Sequence, residues 1–273
     1  MPNLRIRLKH ALARRRRFVT AATEKYTLNL DTQYANDVGQ VLGLRKRMER
    51  GKWEPEFLGA CFQHITPRDT VFEIGTWIGP YSVIIGKYIG ASRVIGFEPD
   101  PVAFRQCVLN LNLNQVKNVF VLPFAMSDAA GSVPLFTNRI FGNSGSSIFQ
   151  NNPATQNGAQ EKVEVPCVAL DKFVEMSGIQ PTVIKLDVEG AEDLVLAGGK
   201  NTLSRQDVKI FLEIHHEYLL KRGKSANTIL KQLSDLGKTI YFLENDSAYP
   251  YKLNEKMDPA RPIAIPNFHV IAY

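Results

Sequence analysis

The sequence predicts an α/β fold, a mostly parallel doubly wound sheet with helices on both faces, and three observations carry that prediction. Short apolar runs alternate with helix-length segments from Thr70 onward, a glycine-bearing turn follows the first run, and acids close several later runs. The runs are Val71–Ile74, Val94–Phe97, Val119–Phe124, Val183–Leu186 and Ile210–Ile214, separated by helical stretches near Pro80–Tyr88, Pro101–Leu113, Ala191–Leu203 and Ser225–Leu236. Alternation of this length builds parallel strands joined by crossover helices. Ligands of such sheets sit beyond the carboxyl ends of the strands, where the strand order switches direction.

Taken in order, the chain opens on a basic tail. Residues 1–17 carry seven Lys/Arg and no acid, and the remainder is within one charge of neutral despite a net charge of +6. Basic character confined to a tail does not support a nucleic-acid footprint over the whole body. Leu4, Leu8, Ala11 and Leu12 share one helical face, so residues 1–20 read as a basic amphipathic segment. Such a segment suits an anionic membrane surface, an organelle transit peptide or a solvated extension. Residues 21–66 are expected to be a helical N-terminal region, ended by Pro67-Arg68-Asp69. Residues 67–273 form the main domain. No run approaches the roughly 18–20 apolar residues of a spanning helix. Cys61, Cys107 and Cys167 are odd in number and widely spaced, which argues against a disulfide framework and for a reducing, cytoplasmic setting.

Within the domain the alternation pauses. Val133–Phe136 and Lys162–Val168 read as strands, and 138–160 as an inserted loop rich in Asn, Ser, Gly and Gln. A loop of this length suggests a lid or substrate loop. Asn143, Ser144 and Ser146 offer it amide and hydroxyl groups for a polar substrate. Thr239–Leu243 and Phe268–Ala272 read as a closing antiparallel hairpin.

The most informative turn is Glu73-Ile-Gly-Thr-Trp-Ile-Gly79. Gly75 permits a tight backbone path, and Gly79 a close approach by a ligand or helix. Thr76 and Trp77 lie between them. Glu98 closes the next strand, ahead of Pro99, where an acid accepts both ribose hydroxyls of an adenosine-containing ligand. Phe124-Ala-Met-Ser-Asp128 follows the third strand, with apolar side chains for a purine and Ser127 and Asp128 at its edge. The G-x-G-x-x-G of dinucleotide-binding proteins is absent, which disfavours a nucleotide-dependent oxidoreductase.

Further along, Ile184-Lys-Leu-Asp-Val-Glu-Gly-Ala-Glu192 resembles the I-K-x-D-V-E-G-x-E signature of the FkbM family of methyltransferases. Together with the Glu73–Gly79 turn, Phe97-Glu98-Pro99 and Ala125–Asp128, it occurs in the family's order. The resemblance covers about Trp53 to Ile214, with Glu73 where many members carry Asp and Thr76-Trp77 where Ala-Asn is common. It implies a Rossmann-like fold of the class I type, S-adenosylmethionine as cofactor, and O-methylation of hydroxyls in sugars, glycans and other natural products. It also implies that Glu73 helps orient the methionine portion of the cofactor.

Methyl transfer to a neutral hydroxyl gains from orientation and from a general base. Asp187, which shares a strand face with Lys185, is the first candidate, as base, ligand or helix cap. Glu189 follows, as catalytic acid or first-turn residue, and Glu192 reads as a first-turn acid favoured by the helix dipole. His215 is a candidate base or a structural histidine, and it shares a face with Glu213, a substrate-side candidate. Asp187, Glu213 and His215 lack any linear metal-ligand spacing, so no metal is expected. Competing readings are an RNA or protein methyltransferase guided by the basic tail, and a non-catalytic cofactor-binding interaction module.

Overall fold

The computed structural model describes residue 10 and residues 17–137, 140–150, 161–247, 249–263 and 265–273. The apolar face proposed at Leu4–Leu12 and most of the basic tail lie outside these residues. So does 151–160 of the inserted loop.

The first described element corrects the sequence reading. β1 (Phe18–Ala22) and β2 (Thr27–Asp31) form an antiparallel hairpin, where residues 21–66 were expected to be helical and Phe18–Thr20 to end a helix. Strict alternation explains it, because Val19, Ala21, Leu28 and Leu30 point inward while Thr20, Ala22, Thr27 and Asn29 do not. Helices α1 (Val38–Glu49) and α2 (Pro55–His64) then follow as expected. Asp37 caps α1 by accepting the Gln40 N–H.

The central sheet follows the alternation. It contains β3 (Thr70–Ile74), β4 (Arg93–Phe97), β5 (Val119–Leu122), β9 (Val183–Leu186), β10 (Lys209–His215), β11 (Ile240–Phe242) and β12 (Asn267–Ala272). Their spatial order is β11-β12-β10-β9-β3-β4-β5. β3, β4, β5, β9 and β10 are parallel, and β12 is antiparallel to both β10 and β11. The expected closing pair is present, but β12 inserts between β10 and β11 instead of lying at the edge. This is the expected Rossmann-like doubly wound sheet, and its order reverses between β3 and β9. β3 and β9 are buried along nearly their whole length because both their faces are covered, with Glu73 and Lys185 as their charged members.

Crossover helices cover the two faces. α3 (Pro80–Val83) runs on as a π-helical turn, Ile84–Ile89, that ends at left-handed Gly90. α4 (Pro101–Leu113) begins with Pro101 at its first position and Asp100 as cap, accepting from Val102 and Ala103 N–H. Asn110 on α4 and Asn114, its C-cap, clip the hairpin edge, each accepting a β2 backbone N–H.

β6 (Ala125–Ser127), β7 (Gly131–Thr137) and β8 (Glu161–Ala169) make a separate three-stranded sheet in the order β6-β8-β7. α5 (Leu170–Ser177), α6 (Glu192–Gly198), α7 (Lys200–Leu203), α8 (His216–Lys221) and α9 (Ala226–Asp235) complete the fold, with a Ser225/Thr228 capping box opening α9. The three cysteines are buried and free. No helix among the described residues is long and apolar enough to cross a membrane.

Candidate active site

At the switch point, the carboxyl ends of β3 and β9 nearly touch. The Asp187 N–H donates to Ile74 O, and a Cβ built on Gly75 (φ +85°) would lie 1.7 Å from Asp187 O. Gly75 is therefore dictated by contact between strands. Gly79 is dictated by α4, since its Cβ would meet Cys107 Sγ at 2.5 Å. Between them the chain passes through Trp77 at φ +48°. Glu98 fixes that turn, its Oε2 accepting the Trp77 N–H at 2.7 Å and its Oε1 the Asp100 N–H at 2.9 Å.

Above this turn lies a cleft of about 240 Å³. One side is formed by Gly75, Thr76, Trp77, Glu98 and Pro99, with Phe124 and Met126 beyond; the other by Asp187, Glu189 and Glu213. The described part of the inserted loop closes over it. Trp77 Nε1–H donates to Gly142 O at 3.1 Å, while Gly142 N–H and the Ser146 hydroxyl both donate to Asp100 Oδ2 at 2.8 Å. The Ser147 hydroxyl donates to Glu189 O at 2.9 Å, tying the loop to the opposite wall.

That wall is dense in charge. Lys185, buried in β9, ion-pairs Asp187 at 3.1 Å. His215 Nδ1 lies 2.7 Å from Glu192 Oε1, and its Nε2 lies 3.5 Å from Glu213, 3.6 Å from Glu189 and 3.9 Å from Asp187. Glu213 also faces His269 Nε2 at 3.6 Å, and His269 faces Glu54 at the same distance. Tyr218 stacks on His215 and donates its hydroxyl to Glu189.

Burial and neighbours set the protonation of this group. Burial pushes Glu98 up to about 8, with Asp100 adding to the effect. Burial likewise lifts Glu189 to about 8, although His215 opposes it. For Glu213 burial also pushes upward, but the His215 and His269 imidazoles outweigh it and hold the carboxyl well below its ordinary range. Burial disfavours charge on His215, yet Glu213 and Glu189 outweigh that and raise it well above the usual histidine value.

Most of the candidates from sequence gather here. Gly75, Thr76, Trp77, Glu98, Pro99, Asn143, Ser144, Ser146, Asp187, Glu189 and Glu213 line the cleft. Others are placed differently. Glu73 is buried beneath the turn, accepting the Ser82 hydroxyl at 2.5 Å through Oε2, with Oε1 lacking a partner. Gly79 packs on α4. Ser127 and Asp128 bond one another at the end of β6, away from the cleft lining. Asn143 and Ser146 spend their side chains anchoring the loop, through Thr137 and Asp100. Asp187 does not cap the following helix, which starts at Glu192. Glu192 is more than a first-turn acid, since it holds both the Gly190 N–H and His215.

Sequence reasoning missed Arg47, Trp53 and Glu54, which the N-terminal region sends into the cleft, and His269 behind them. They lie far from any motif, and no local pattern marks them. Lys185 did leave a signal, as a lysine within an apolar run. The expectation of no metal rested on linear spacing, whereas the fold assembles Asp187, Glu213 and His215 into one group.

Known proteins share features of this chain. The methyltransferase FkbM domain matches residues 61–240. The chain belongs to the FkbM methyltransferase family. Hexuronic acid methyltransferase AglP of Haloferax volcanii is 24% identical over 221 residues, covering 79% of each chain. A ribosomal protein L11 methyltransferase of Clostridium perfringens is 34% identical over 86 residues, covering 30% of this chain and 27% of the relative. Among solved structures, an FkbM methyltransferase from Methylobacillus flagellatus KT has TM-score 0.46 and 17% identity, over 88% of this chain and 56% of that one. Precorrin-6y C5,15-methyltransferase from Geobacter metallireducens GS-15 has TM-score 0.46 and 11% identity, over 81% of this chain and 89% of that one.

The cofactor of an FkbM methyltransferase is S-adenosylmethionine, and the groups at the cleft suit it. Each Glu98 oxygen accepts one backbone N–H and keeps a lone pair for a further donor. The acid-rich wall also matches a ligand that carries a positively charged sulfur.

Proposed function

We propose that this FkbM methyltransferase methylates a hydroxyl group of a sugar or glycan. In this reading S-adenosylmethionine lies over the ends of β3 and β4, and the acceptor over the ends of β9 and β10. The observation that carries the proposal is a single cleft lined both by the Gly75–Trp77 turn with Glu98 and by the carboxylates of Asp187, Glu189 and Glu213. The printed name of the Haloferax relative, a hexuronic acid methyltransferase, supports the acceptor class.

The cofactor supplies a methyl group on a positively charged sulfur, which leaves as a neutral thioether. Glu98 would accept the ribose hydroxyls, and Pro99, Phe124 and Met126 would flank the purine. Gly75, Thr76 and Trp77 shape the backbone beneath. Aligning methyl and hydroxyl supplies a large share of the acceleration. Glu189, in the ionised form that prevails above about pH 8, would take the hydroxyl proton as the oxygen takes the methyl. Asp187 is ion-paired to Lys185, whereas Glu189 lines the cleft and is bonded by Tyr218. His215 is held through Nδ1 by Glu192 and orients the carboxylates around it.

The test is transfer of labelled methyl from S-adenosylmethionine to a panel of sugars and glycans that includes hexuronic acids. Label in a product that resists mild base is the expected ether. Base-labile label would instead mean carboxyl esterification and would sink the hydroxyl assignment. Transfer to RNA or protein, with none to sugars, would move the acceptor class altogether.

A further inference from the structure

Asp187, Glu213 and His215 each offer one ligand atom to a common point, with all three atoms within 4.8 Å of one another. Ligand atoms about 2.1–2.6 Å from a divalent cation stand roughly 3–4 Å apart. His215 Nε2 is 3.5 Å from Glu213 Oε1 and 3.9 Å from Asp187 Oδ1, so small side-chain rotations suffice.

The surroundings distinguish this group from a mere cluster of acids. Each ligand is held by its far atom: Asp187 Oδ2 by Lys185 Nζ, His215 Nδ1 by the fully buried Glu192, and Glu213 Oε2 by facing His269. The near atoms are thereby turned inward, as outer partners turn the ligands of metal sites. An independent observation comes from His269, which is 8% exposed. Its Nε2 has no hydrogen-bond partner and points at Glu54 and Glu213, each 3.6 Å away. The Glu213 carboxylate stands beyond hydrogen-bond length of that nitrogen, which leaves it lone pairs for a further ligand.

We propose that Asp187, Glu213 and His215 bind a divalent cation of the Mg²⁺/Mn²⁺ class, which receives the acceptor's hydroxyl oxygen beside the transferable methyl. Two carboxylate oxygens and one imidazole form a hard, oxygen-rich set of this kind. Asp187 and Glu213 are part-exposed, leaving coordination positions on the cleft side. The first half of the proposal stands by itself; the second rests on the O-methyltransferase reading. Coordination makes the hydroxyl more acidic. Its proton passes to Glu189, the oxygen–carbon bond forms as the carbon–sulfur bond breaks, and sulfur keeps the electron pair. The cation changes neither charge nor oxidation state.

The test titrates EDTA-treated full-length protein with Mn²⁺, following free Mn²⁺ by electron paramagnetic resonance, with S-adenosylhomocysteine binding measured in parallel. One Mn²⁺ per chain is expected. It should be lost in Glu213→Gln and weakened about 10–100-fold in Glu192→Gln, while both variants still bind S-adenosylhomocysteine. No saturable binding up to millimolar Mn²⁺ overturns the cation site, whatever the nucleoside result. Binding unchanged in both variants overturns it equally. Saturable Mn²⁺ binding without S-adenosylhomocysteine binding would keep the site and remove the methyl-transfer reading.

Discussion

The two walls of the cleft are built on different principles. The β3–β4 wall comes from one stretch of chain, Glu73 to Pro99, in which a single strand–turn–helix unit delivers Gly75, Thr76 and Trp77, and the next strand delivers Glu98. The β9–β10 wall is assembled from afar. Glu54 arrives from the turn before α2, Asp187 and Glu189 from the end of β9, Glu213 and His215 from β10, and His269 from β12. On the proposed reading, a cofactor common to many enzymes is met by a local motif, and an acceptor particular to one enzyme by side chains that several elements supply.

The largest effect is expected where the walls meet. Gly75→Ala would place a methyl group 1.7 Å from Asp187 O in a backbone with φ +85°. We expect destabilisation of more than about 4 kcal/mol, or failure to fold, read as a shift in the urea midpoint. An unchanged midpoint would show that β3 and β9 do not abut as described.

Next comes a pair of substitutions that should separate the walls. Glu98→Ala removes an acceptor of charge-assisted bonds and should weaken S-adenosylmethionine binding by about 100-fold or more. Glu189→Gln should leave that affinity within about twofold and lower kcat by roughly 10²–10⁴-fold. If Glu189→Gln instead weakened the cofactor as strongly as Glu98→Ala, the division between the walls would collapse.

The same division explains what was legible in the sequence. The strands, the crossover helices and the Glu98 site follow from periodicity and local turn chemistry, which act over a few residues. The N-terminal hairpin was missed because an alternating stretch of five residues such as Thr27–Asp31 was read through the helical pattern that follows it. Gly79, read as a close approach by a ligand or helix, packs on Cys107 of α4, and Ser82 holds one oxygen of Glu73 while the other has no partner. Glu54 and His269 could not be found at all. Their relevance arises only when β12 slides between β10 and β11 and α2 packs nearby, contacts that no local pattern encodes.

A smaller effect concerns the loop that bridges both walls. Trp77→Phe removes one hydrogen bond, to Gly142 O. A net loss of about 0.5–1.5 kcal/mol should follow, appearing as a roughly 2–10-fold faster amide exchange at Gly142. Unaltered exchange would mean that Asp100, which accepts from Gly142 and Ser146, holds the loop unaided.

The subtlest expectation is a dependence on pH confined to the β3–β4 wall. Burial, reinforced by Asp100, raises Glu98 to about 8 in the unliganded protein. A folded-state value above the ordinary one means that the protonated form is favoured by folding. That contribution to stability is therefore present at low pH and fades as pH rises toward 8. Ribose hydroxyls donate best to the ionised carboxylate, so binding should pull the value down. Affinity should then be highest above about pH 8 and fall as pH drops below it, by at most tenfold per unit. 5′-Methylthioadenosine is the suitable probe, since it lacks the amino acid portion and its titrating amine. Wild type should show the slope and Glu98→Gln should not. A slope that survives in Glu98→Gln would place the titrating group on the opposite wall, and the two halves of the cleft would be electrostatically one.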